Sequence, residues 1–444
     1  MIKRIATGIL AAALCLSLWG CGKSADATTQ TQCSHQFGEW IARKLPTCYK
    51  EGYDERLCSI CNQSERRSIP TIAHNLDQYN VCRKCYAVEF DPDADVVELG
   101  MLSYRNYGTA SLANTAWDVK IWNGQVYCGS GDYNKNAGKV PLLSYDIATN
   151  RWQFHGDMPD QAVHSFIEIG GTLVAPGIDP TGSWDLGNFY RLEDGKWKTV
   201  RTIPNGIHNF DMIEFDGKIF AGVGTEDADD TVAVSTDGGQ SWSFVPLYKD
   251  GAPFDTSEYK YSRTYEFTEY NGQLYALLSF QLNIGSSYML FRYEDGKMVW
   301  LSDQVSTLLG GSSVNRKYWG GEFEFDGACY LALSALYAIR DFADPGSYEK
   351  ISMPNKEKVA DAFVKDGVIY VLGSRQDMQT KEYKIVIYQS TTGKAGSFTP
   401  AASFTYPAPP ISFDTDGNHF YVGIGYTSGA AEKCGMILRV KPNA

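Results

Sequence analysis

Cysteine and histidine residues crowd into one short stretch near the start of this 444-residue chain. Residues 33 to 85 hold more than half of the 11 cysteines together with two of the 6 histidines. Two Cys-x-x-Cys pairs lie among them, and such pairs present two thiolates on a tight turn, which suits tetrahedral zinc. The candidate ligands are Cys33, His35, Cys48, Cys58, Cys61, His74, Cys82 and Cys85. They suffice for two sites of four ligands each, so the sequence predicts two structural zinc ions.

A disulfide framework is the alternative for these cysteines, because disulfides persist in exported proteins. Disulfides would not need the two histidines. A stretch of this size with few large aliphatic residues could hardly fold without cross-links or metal. The stretch also resembles a small zinc-ribbon-like repeat of surface proteins from anaerobic Gram-positive bacteria, through Cys33-Ser-His35, Pro46-Thr-Cys48, Cys58-x-x-Cys61 and His74. One pairing would give Cys48, Cys58, Cys61 and His74 to one ion, and Cys33, His35, Cys82 and Cys85 to the other.

The first residues have the pattern of an export signal. Lys3 and Arg4 precede an apolar run from Ile5 to Leu18, which is too short to span a membrane. Leu18-Trp19-Gly20-Cys21 resembles the bacterial lipoprotein signal, which implies lipidation of Cys21 and removal of residues 1–20. Residues 22–32 are small and polar, as in a flexible tether. We therefore expect an extracytoplasmic protein anchored to the bacterial membrane or cell surface by lipid; a simple secretory signal or an anchor helix is the alternative.

Beyond residue 90 the chain contains an internal repeat. A strand, a two-residue turn ending in Gly and a second apolar strand recur seven times, 40 to 55 residues apart. The turns are Asn123-Gly124, Gly170-Gly171, Asp216-Gly217, Asn271-Gly272, Asp326-Gly327, Asp366-Gly367 and Asp416-Gly417. This period suits a four-stranded propeller blade. The sequence predicts an all-β fold: a zinc-ribbon-like module at 33–86, then a seven-bladed β-propeller at 90–444 in which residues 95–102 complete the last blade. Uneven spacing leaves six or eight blades as alternatives.

Later hairpins add two resemblances. Tyr145 to Trp152 and Tyr190 to Trp197 are similar to Kelch repeats, although the paired glycines of that repeat are missing from most units. The segment from Ser235 to Trp242, with Asp237 and Gly239, matches the Asp-box, in which the Asp accepts backbone N–H bonds and the Trp packs between strands. This likeness implies a propeller blade and carries no chemistry.

A binding site is expected on the propeller face that carries the long loops and the starts of the innermost strands. The long loops are 132–139, 178–187, 248–261 and 303–317. The candidate ligand-binding residues are Trp117, Asp118, His164, His208, Asp211, Arg263, Tyr265, Glu266, Trp319 and Asp361. Aromatic rings with His, Arg and carboxylates could hold a sugar, an acidic ligand or a peptide. The alternative is that these polar side chains serve only as hydrogen-bonding partners of neighbouring blades.

Composition narrows the function classes. A hydrophobic fraction of 43% and a charged fraction of 21% indicate a packed globular protein, and a net charge of −12 disfavours nucleic acid as a partner. We predict a non-catalytic binding module for a glycan, a wall fragment or a protein. One alternative is a sialidase-like hydrolase or lyase. A sialidase site needs three arginines, however, and the sequence offers Arg263 and, less clearly, Arg316. Another is a docking scaffold that uses the zinc module. No residue is assigned a catalytic role.

Overall fold

The computed structural model describes residues 33–101, 112–133, 138–225, 227–303 and 321–443. The predicted signal, the lipidation site Cys21, the tether and Trp319 lie outside these ranges. The chain divides into two compact units, Met1–Ala73 and His74–Ala444, and this division falls inside the stretch predicted as one zinc module. Among the described residues, no helix has the length and apolar character needed to cross a membrane.

The first unit contains one small antiparallel sheet. Its three strands are β1 (Ile41–Lys44), β2 (Gly52–Leu57) and β3 (Ser64–Ile69), paired in that order. Most of its side chains are exposed, and Arg56 and Arg67 both stack on Trp40 with guanidinium carbons 4.5 Å from the indole centroid. The described part of this unit thus buries little apolar surface, as expected for a module stabilised by other means.

The described part of the second unit consists mainly of strands and turns, and it includes short 3-10 helices at Leu112–Asn114, Pro345–Ser347 and Ser428–Lys433. In chain order the strands are β4 (Val96–Met101), β5 (Val119–Trp122), β6 (Gln125–Cys128), β7 (Ser130–Gly131), β8 (Val140–Asp146), β9 (Arg151–Met158), β10 (Asp160–Val163), β11 (Ile167–Ile169), β12 (Thr172–Pro176), β13 (Ile178–Pro180), β14 (Leu186–Glu193), β15 (Lys196–Pro204), β16 (His208–Phe215), β17 (Lys218–Gly224), β18 (Val232–Ser235), β19 (Ser243–Phe244), β20 (Leu247–Lys249), β21 (Ala252–Pro253), β22 (Tyr261–Tyr270), β23 (Gln273–Gln281), β24 (Ser286–Glu294), β25 (Lys297–Ser302), β26 (Glu322–Phe325), β27 (Ala328–Ala332), β28 (Leu336–Ile339), β29 (Tyr348–Ile351), β30 (Lys358–Lys365), β31 (Val368–Gln376), β32 (Tyr383–Ser390), β33 (Thr399–Tyr406), β34 (Pro410–Thr415), β35 (Phe420–Ile424) and β36 (Met436–Val440).

These strands form seven four-stranded antiparallel blades, which confirms the predicted seven-bladed β-propeller. From inner to outer strand the blades are β5-β6-β8-β9, β11-β12-β14-β15, β16-β17-β18-β19, β22-β23-β24-β25, β26-β27-β28-β29, β30-β31-β32-β33 and β34-β35-β36-β4. In the last blade β4 pairs with β36, from Val96 opposite Val440 to Met101 opposite Met436. The strand at the start of the unit therefore completes the blade at its end, as the sequence predicts.

The repeated turns explain why the hairpins form where they do. In six of the seven turns both residues have positive φ, as at Asn123 (48°) and Gly124 (75°), which is the conformation of a tight hairpin turn. The seventh differs: Gly417 has φ of 90°, and Asp416 Oδ1 accepts hydrogen bonds from the N–H groups of Asn418 and His419. That turn is a longer loop stabilised by the aspartate side chain.

Apolar side chains pack between neighbouring blades. Phe220 of β17, Phe267 of β22 and Phe291 of β24 are fully buried in one such cluster. Side-chain carboxylates also join the innermost strands: Asp118 Oδ2 accepts from Phe166 N at 2.8 Å, Asp211 Oδ2 from Phe267 N at 2.7 Å and Asp361 Oδ2 from Phe413 N at 3.0 Å. Each bond links one blade to the next, so the ring is held by polar as well as apolar contacts.

Candidate functional site

Short strands outside the blades form a ladder with two of them. β10 pairs with both β7 and β13, and Ile178 of β13 lies opposite His208 at the start of β16. Gly224 at the end of β17 lies opposite Arg263 in β22. This continuous ladder fixes the positions of the strand ends and of the loop that follows β13.

A cleft of about 320 Å³ opens beside this ladder. Its lining combines two charged side chains, one imidazole, three aromatic rings, one hydroxyl and one aliphatic side chain. The lining residues are Tyr133, Asp179, Trp184, Ile207, His208, Thr225, Tyr261 and Arg263. A concave surface with a few polar groups among aromatic rings is typical of small-ligand sites.

Arg263 and His208 form the polar base of the cleft. Arg263 Nη2 donates to His208 Nε2 at 3.1 Å. Burial, followed by the nearby guanidinium, lowers the pKa of His208 to about 3, so the imidazole is neutral and carries its hydrogen on Nδ1. Both side chains approach Gly224 closely, since a Cβ there would lie 2.9 Å from Arg263 Cγ and 3.1 Å from His208 Cδ2. A residue without a side chain is therefore needed at position 224.

Asp179 supplies the negative charge of the cleft. Its backbone has φ of 65°, and its N–H donates to Ile207 O at 2.9 Å. Burial raises the pKa of Asp179 to about 6, while Arg263 acts in the opposite direction. Asp179 Oδ1, His208 Nδ1 and Arg263 Nε are buried and have no hydrogen-bond partner among the described residues. One acceptor and two donors of residues that line the cleft thus have no protein partner among the described residues, and a buried polar atom without a partner is costly.

Aromatic rings form the walls. Trp184 is 50% exposed, and its indole N–H donates to Pro180 O at 3.2 Å, which fixes one edge of the ring. The Arg263 guanidinium carbon lies 4.6 Å from the Tyr261 ring centroid. Tyr133 packs 5.4 Å from His208, and a buried pair, Phe210 and Tyr265, lies next to this group with centroids 4.6 Å apart. The half-exposed Trp184 ring remains available for stacking on a ligand.

The candidate residues from the sequence separate into groups. The cleft contains His208 and Arg263. The Trp117 and His164 rings pack at a tilt of 39° with centroids 4.5 Å apart, and the Tyr133 ring centroid lies 5.9 Å from that of His164. Asp118, Asp211 and Asp361 accept the interblade bonds described above, Glu266 is buried in β22, and Tyr265 belongs to the aromatic group. Their role in binding stays a prediction.

Sequence reasoning did not single out Tyr133, Asp179, Trp184 and Tyr261. All four lie in or at the ends of loops that their length marked as binding loops. One sequence feature could have drawn attention to Asp179, because it is an acidic residue directly before Pro180 in the 178–187 loop. Nothing in the sequence shows that this loop brings it to Arg263, 84 positions later.

The segment from Ser235 to Trp242 forms a compact turn. Asp237 Oδ1 accepts from the backbone N–H of Gln240 and Ser241 at 3.0 and 2.9 Å, and Trp242 Nε1 donates to Thr202 Oγ1 at 3.0 Å. The Ser241 hydroxyl and these N–H groups lower the pKa of Asp237 to about 2. The turn stabilises its blade; its membership of the Asp-box motif stays a prediction.

Cysteine and histidine side chains form a separate candidate site in the first unit. Cys33, His35, Cys58 and Cys61 place one ligand atom each within 4.8 Å of the others. Cys33 Sγ lies 3.9 Å from Cys58 Sγ, and His35 Nδ1 lies 3.3 Å from Cys61 Sγ. Burial opposes ionisation of Cys58, but the N–H groups of Cys61 and Ile60 and the His35 ring lower its pKa to about 5. The separations fit four ligands around one tetrahedral metal ion.

The second candidate cluster contains His74, Cys82 and Cys85. His74 Nδ1 lies 3.3 Å from Cys85 Sγ. Burial opposes ionisation of Cys82, but the N–H groups of Cys85 and Lys84 lower its pKa to about 5. The pairing suggested from sequence is wrong, because Cys58 and Cys61 join Cys33 and His35 rather than His74. Cys48 is buried in the first unit, and its role as a ligand is a prediction.

The propeller assignment depends on the strand pairing and not on comparisons with known proteins. No protein-family profile matches the sequence, and no curated protein matches it. Among solved structures, the chain is similar to YCF48 bound to D1 peptide (10% identity, TM-score 0.42, 83% of this chain and 100% of that chain). It is also similar to BamB from Moraxella catarrhalis (10%, 0.38, 83% and 98%) and to the β-propeller domain of the Trilobed protease from Pyrococcus furiosus (10%, 0.34, 76% and 84%).

Proposed function

We propose that this chain is an exported, lipid-anchored surface protein whose propeller binds a glycan without turning it over. The observation that carries the proposal is the cleft between His208, Arg263, Asp179 and Trp184. Three buried polar atoms of these residues have no partner among the described residues, and the Trp184 indole ring is half exposed. Sugars offer the matching chemistry, because their hydroxyls donate and accept hydrogen bonds and their ring faces stack on indole.

Binding is favoured over hydrolysis by the same residues. Most glycoside hydrolases use two carboxyl groups that flank the scissile bond. Among the described residues that line the cleft, Asp179 is the one carboxylate. His208 is already committed to Arg263 through Nε2.

The exported, lipid-anchored part of the proposal depends on the N-terminal signal pattern and not on the cleft. Lipidation of Cys21 would keep the cleft outside the cytoplasmic membrane, where wall and surface glycans are found. The Cys/His clusters fit zinc, which would stabilise the fold of the first unit through Cys33, His35, Cys58 and Cys61.

The test is a glycan and wall-fragment array probed with the full chain, beside the double variant His208→Ala, Arg263→Ala. We expect binding of at least one glycan by the wild type and its loss in the variant, with thermal unfolding showing that both proteins are folded. Cleavage of the bound glycan, followed by mass spectrometry, would replace the binding function with a hydrolase or lyase. Absence of any binding by folded wild type would disprove the glycan proposal and favour a docking scaffold.

A further inference from the structure

The charges of the cleft are balanced. Arg263 contributes one positive charge, Asp179 contributes one negative charge above its pKa of about 6, and His208 is neutral because its pKa is about 3. The Arg263 charge influences both neighbours, yet Asp179 Oδ1 and Arg263 Nε are each buried without a hydrogen-bond partner among the described residues. The two opposite charges therefore line one small space without neutralising each other by direct contact.

The unpartnered atoms set the hydrogen-bonding pattern that a ligand must match. Arg263 Nε and His208 Nδ1 can only donate, whereas Asp179 Oδ1 can only accept when it is ionised. A hydroxyl group both donates and accepts, so the hydroxyls of a sugar match the chemistry of both the donors and the acceptor. A carboxylate accepts only, and it would lie beside the carboxylate of Asp179 at a buried position.

The surroundings oppose an acidic ligand further. The second unit, His74–Ala444, carries 31 Lys and Arg against 46 Asp and Glu, so it repels anions at long range. Among the described residues that line the cleft, Arg263 is the one permanent cation. Trp184 and Tyr261 offer ring faces that suit the C–H face of a sugar.

From this geometry we infer that the cleft selects an uncharged sugar residue, and that Asp179 determines this specificity. The hydroxyls of the sugar donate to Asp179 and accept from Arg263 and His208, while the ring stacks on Trp184. An acidic sugar is rejected because Asp179 would repel it. This inference rests on the proposed glycan-binding function.

The test compares matched sugars and matched variants of the full chain. The sugars are neutral oligosaccharides paired with their uronic-acid counterparts, which differ by a carboxylate in place of a CH₂OH group, assayed at about pH 8 so that Asp179 is ionised. The variant is Asp179→Asn, because Asn is similar in shape and tolerates the positive φ of this position. The control is Asp185→Asn, which removes an equal charge from an exposed residue of the same loop that pairs with Arg201.

We expect the wild type and Asp185→Asn to bind the neutral member of a pair at least about tenfold more tightly. Asp179→Asn should weaken binding of the neutral sugar about tenfold, as for loss of a charge-assisted hydrogen bond. It should therefore reduce the preference for the neutral over the acidic sugar of each pair. The opposite result, a wild type that prefers the acidic sugar and an Asp179→Asn variant that binds it more tightly, would overturn the inference while leaving glycan binding intact. If folded wild type binds neither member of any pair, the proposed function itself is wrong and the inference is overturned with it.

Discussion

The two units of this chain are stabilised by different means. Among the described residues of the first unit, Cys48 and Cys58 are the only buried apolar side chains, and the exposed ones include Ile41, Leu45, Tyr49, Leu57, Ile60 and Ile72. The second unit buries large side chains between every pair of neighbouring blades that the described residues define, as with Phe220, Phe267 and Phe291. The charges differ too, since residues 33–73 have six Lys and Arg against five Asp and Glu.

This contrast shows how size determines the means of stabilisation. A sheet of three short strands cannot remove enough apolar surface from water to offset the entropy of folding, so we expect metal bound by the Cys and His residues to contribute. A ring of seven blades buries enough apolar surface for its own core. Agents that remove metal should therefore leave the blades folded, and substitutions in the blade cores should leave the metal ligands in place.

Removal of metal should have the largest effect, in the first unit and at His74, Cys82 and Cys85 near the start of the second unit, but not in the blades. Metal-binding free energy is folding free energy in small modules, so a chelator should unfold residues 33–73 completely. Hydrogen exchange would show loss of protection in β2 (Gly52–Leu57) and retained protection in β35 (Phe420–Ile424). Cys58→Ser should release metal, whereas Cys128→Ser, at a buried propeller cysteine, should not. Three disulfides and no metal by mass spectrometry would contradict the zinc assignment.

A cavity in the propeller core should lower the stability of the propeller without releasing metal. Phe291→Ala removes a fully buried ring from the cluster around Phe267 and should lower the free energy of unfolding of the propeller by about 3–5 kcal/mol. Metal content should not change. The control is Ile284→Ala in the same blade, at a side chain that is 93% exposed, for which denaturant unfolding should show almost no change. A comparable loss from both variants would mean that this blade is not packed as described.

Mild acid should increase the stability contribution of one buried propeller carboxyl group, whereas the neutral His208 contributes in the opposite direction. Asp160 is fully buried, and burial raises its pKa to about 6, although the Tyr190 hydroxyl and Asn188 donate to it. Because the unfolded pKa is about 4, the folded state binds the proton more tightly, and propeller stability from this group is lost as pH rises through about 6. Between pH 7 and pH 5 the propeller should gain about 1 kcal/mol from Asp160.

Denaturant unfolding of wild type and Asp160→Asn at the two pH values measures this gain, which the variant should lack. The first unit should lose stability over the same range, because its metal ligands must be deprotonated. An equal pH response in both proteins would show that Asp160 does not titrate in this range.

The fold was predictable because its signals are local. Asn123-Gly124 and its counterparts specify positive φ at fixed positions, and alternating strands flank them. The site was predictable only in part, because its contacts are not local. The sequence singled out Asp118 and not Asp179 as a candidate binding residue, whereas the fold shows that Asp118 accepts a backbone N–H bond and that Asp179 lines the cleft. The metal pairing failed for the same reason, since spacing along the chain does not fix which Cys pairs meet.

The pairing of β4 with β36 has a consequence for the order of events during synthesis. Val96 emerges from the ribosome before any blade, and its partner Val440 emerges after six blades have been made. Throughout that interval β4 is a strand with an unsatisfied edge, and the seventh blade cannot be completed. Closure of the ring is therefore a late step with a large loop to close, and β4 is the segment of the propeller most exposed to mispairing in a nascent chain.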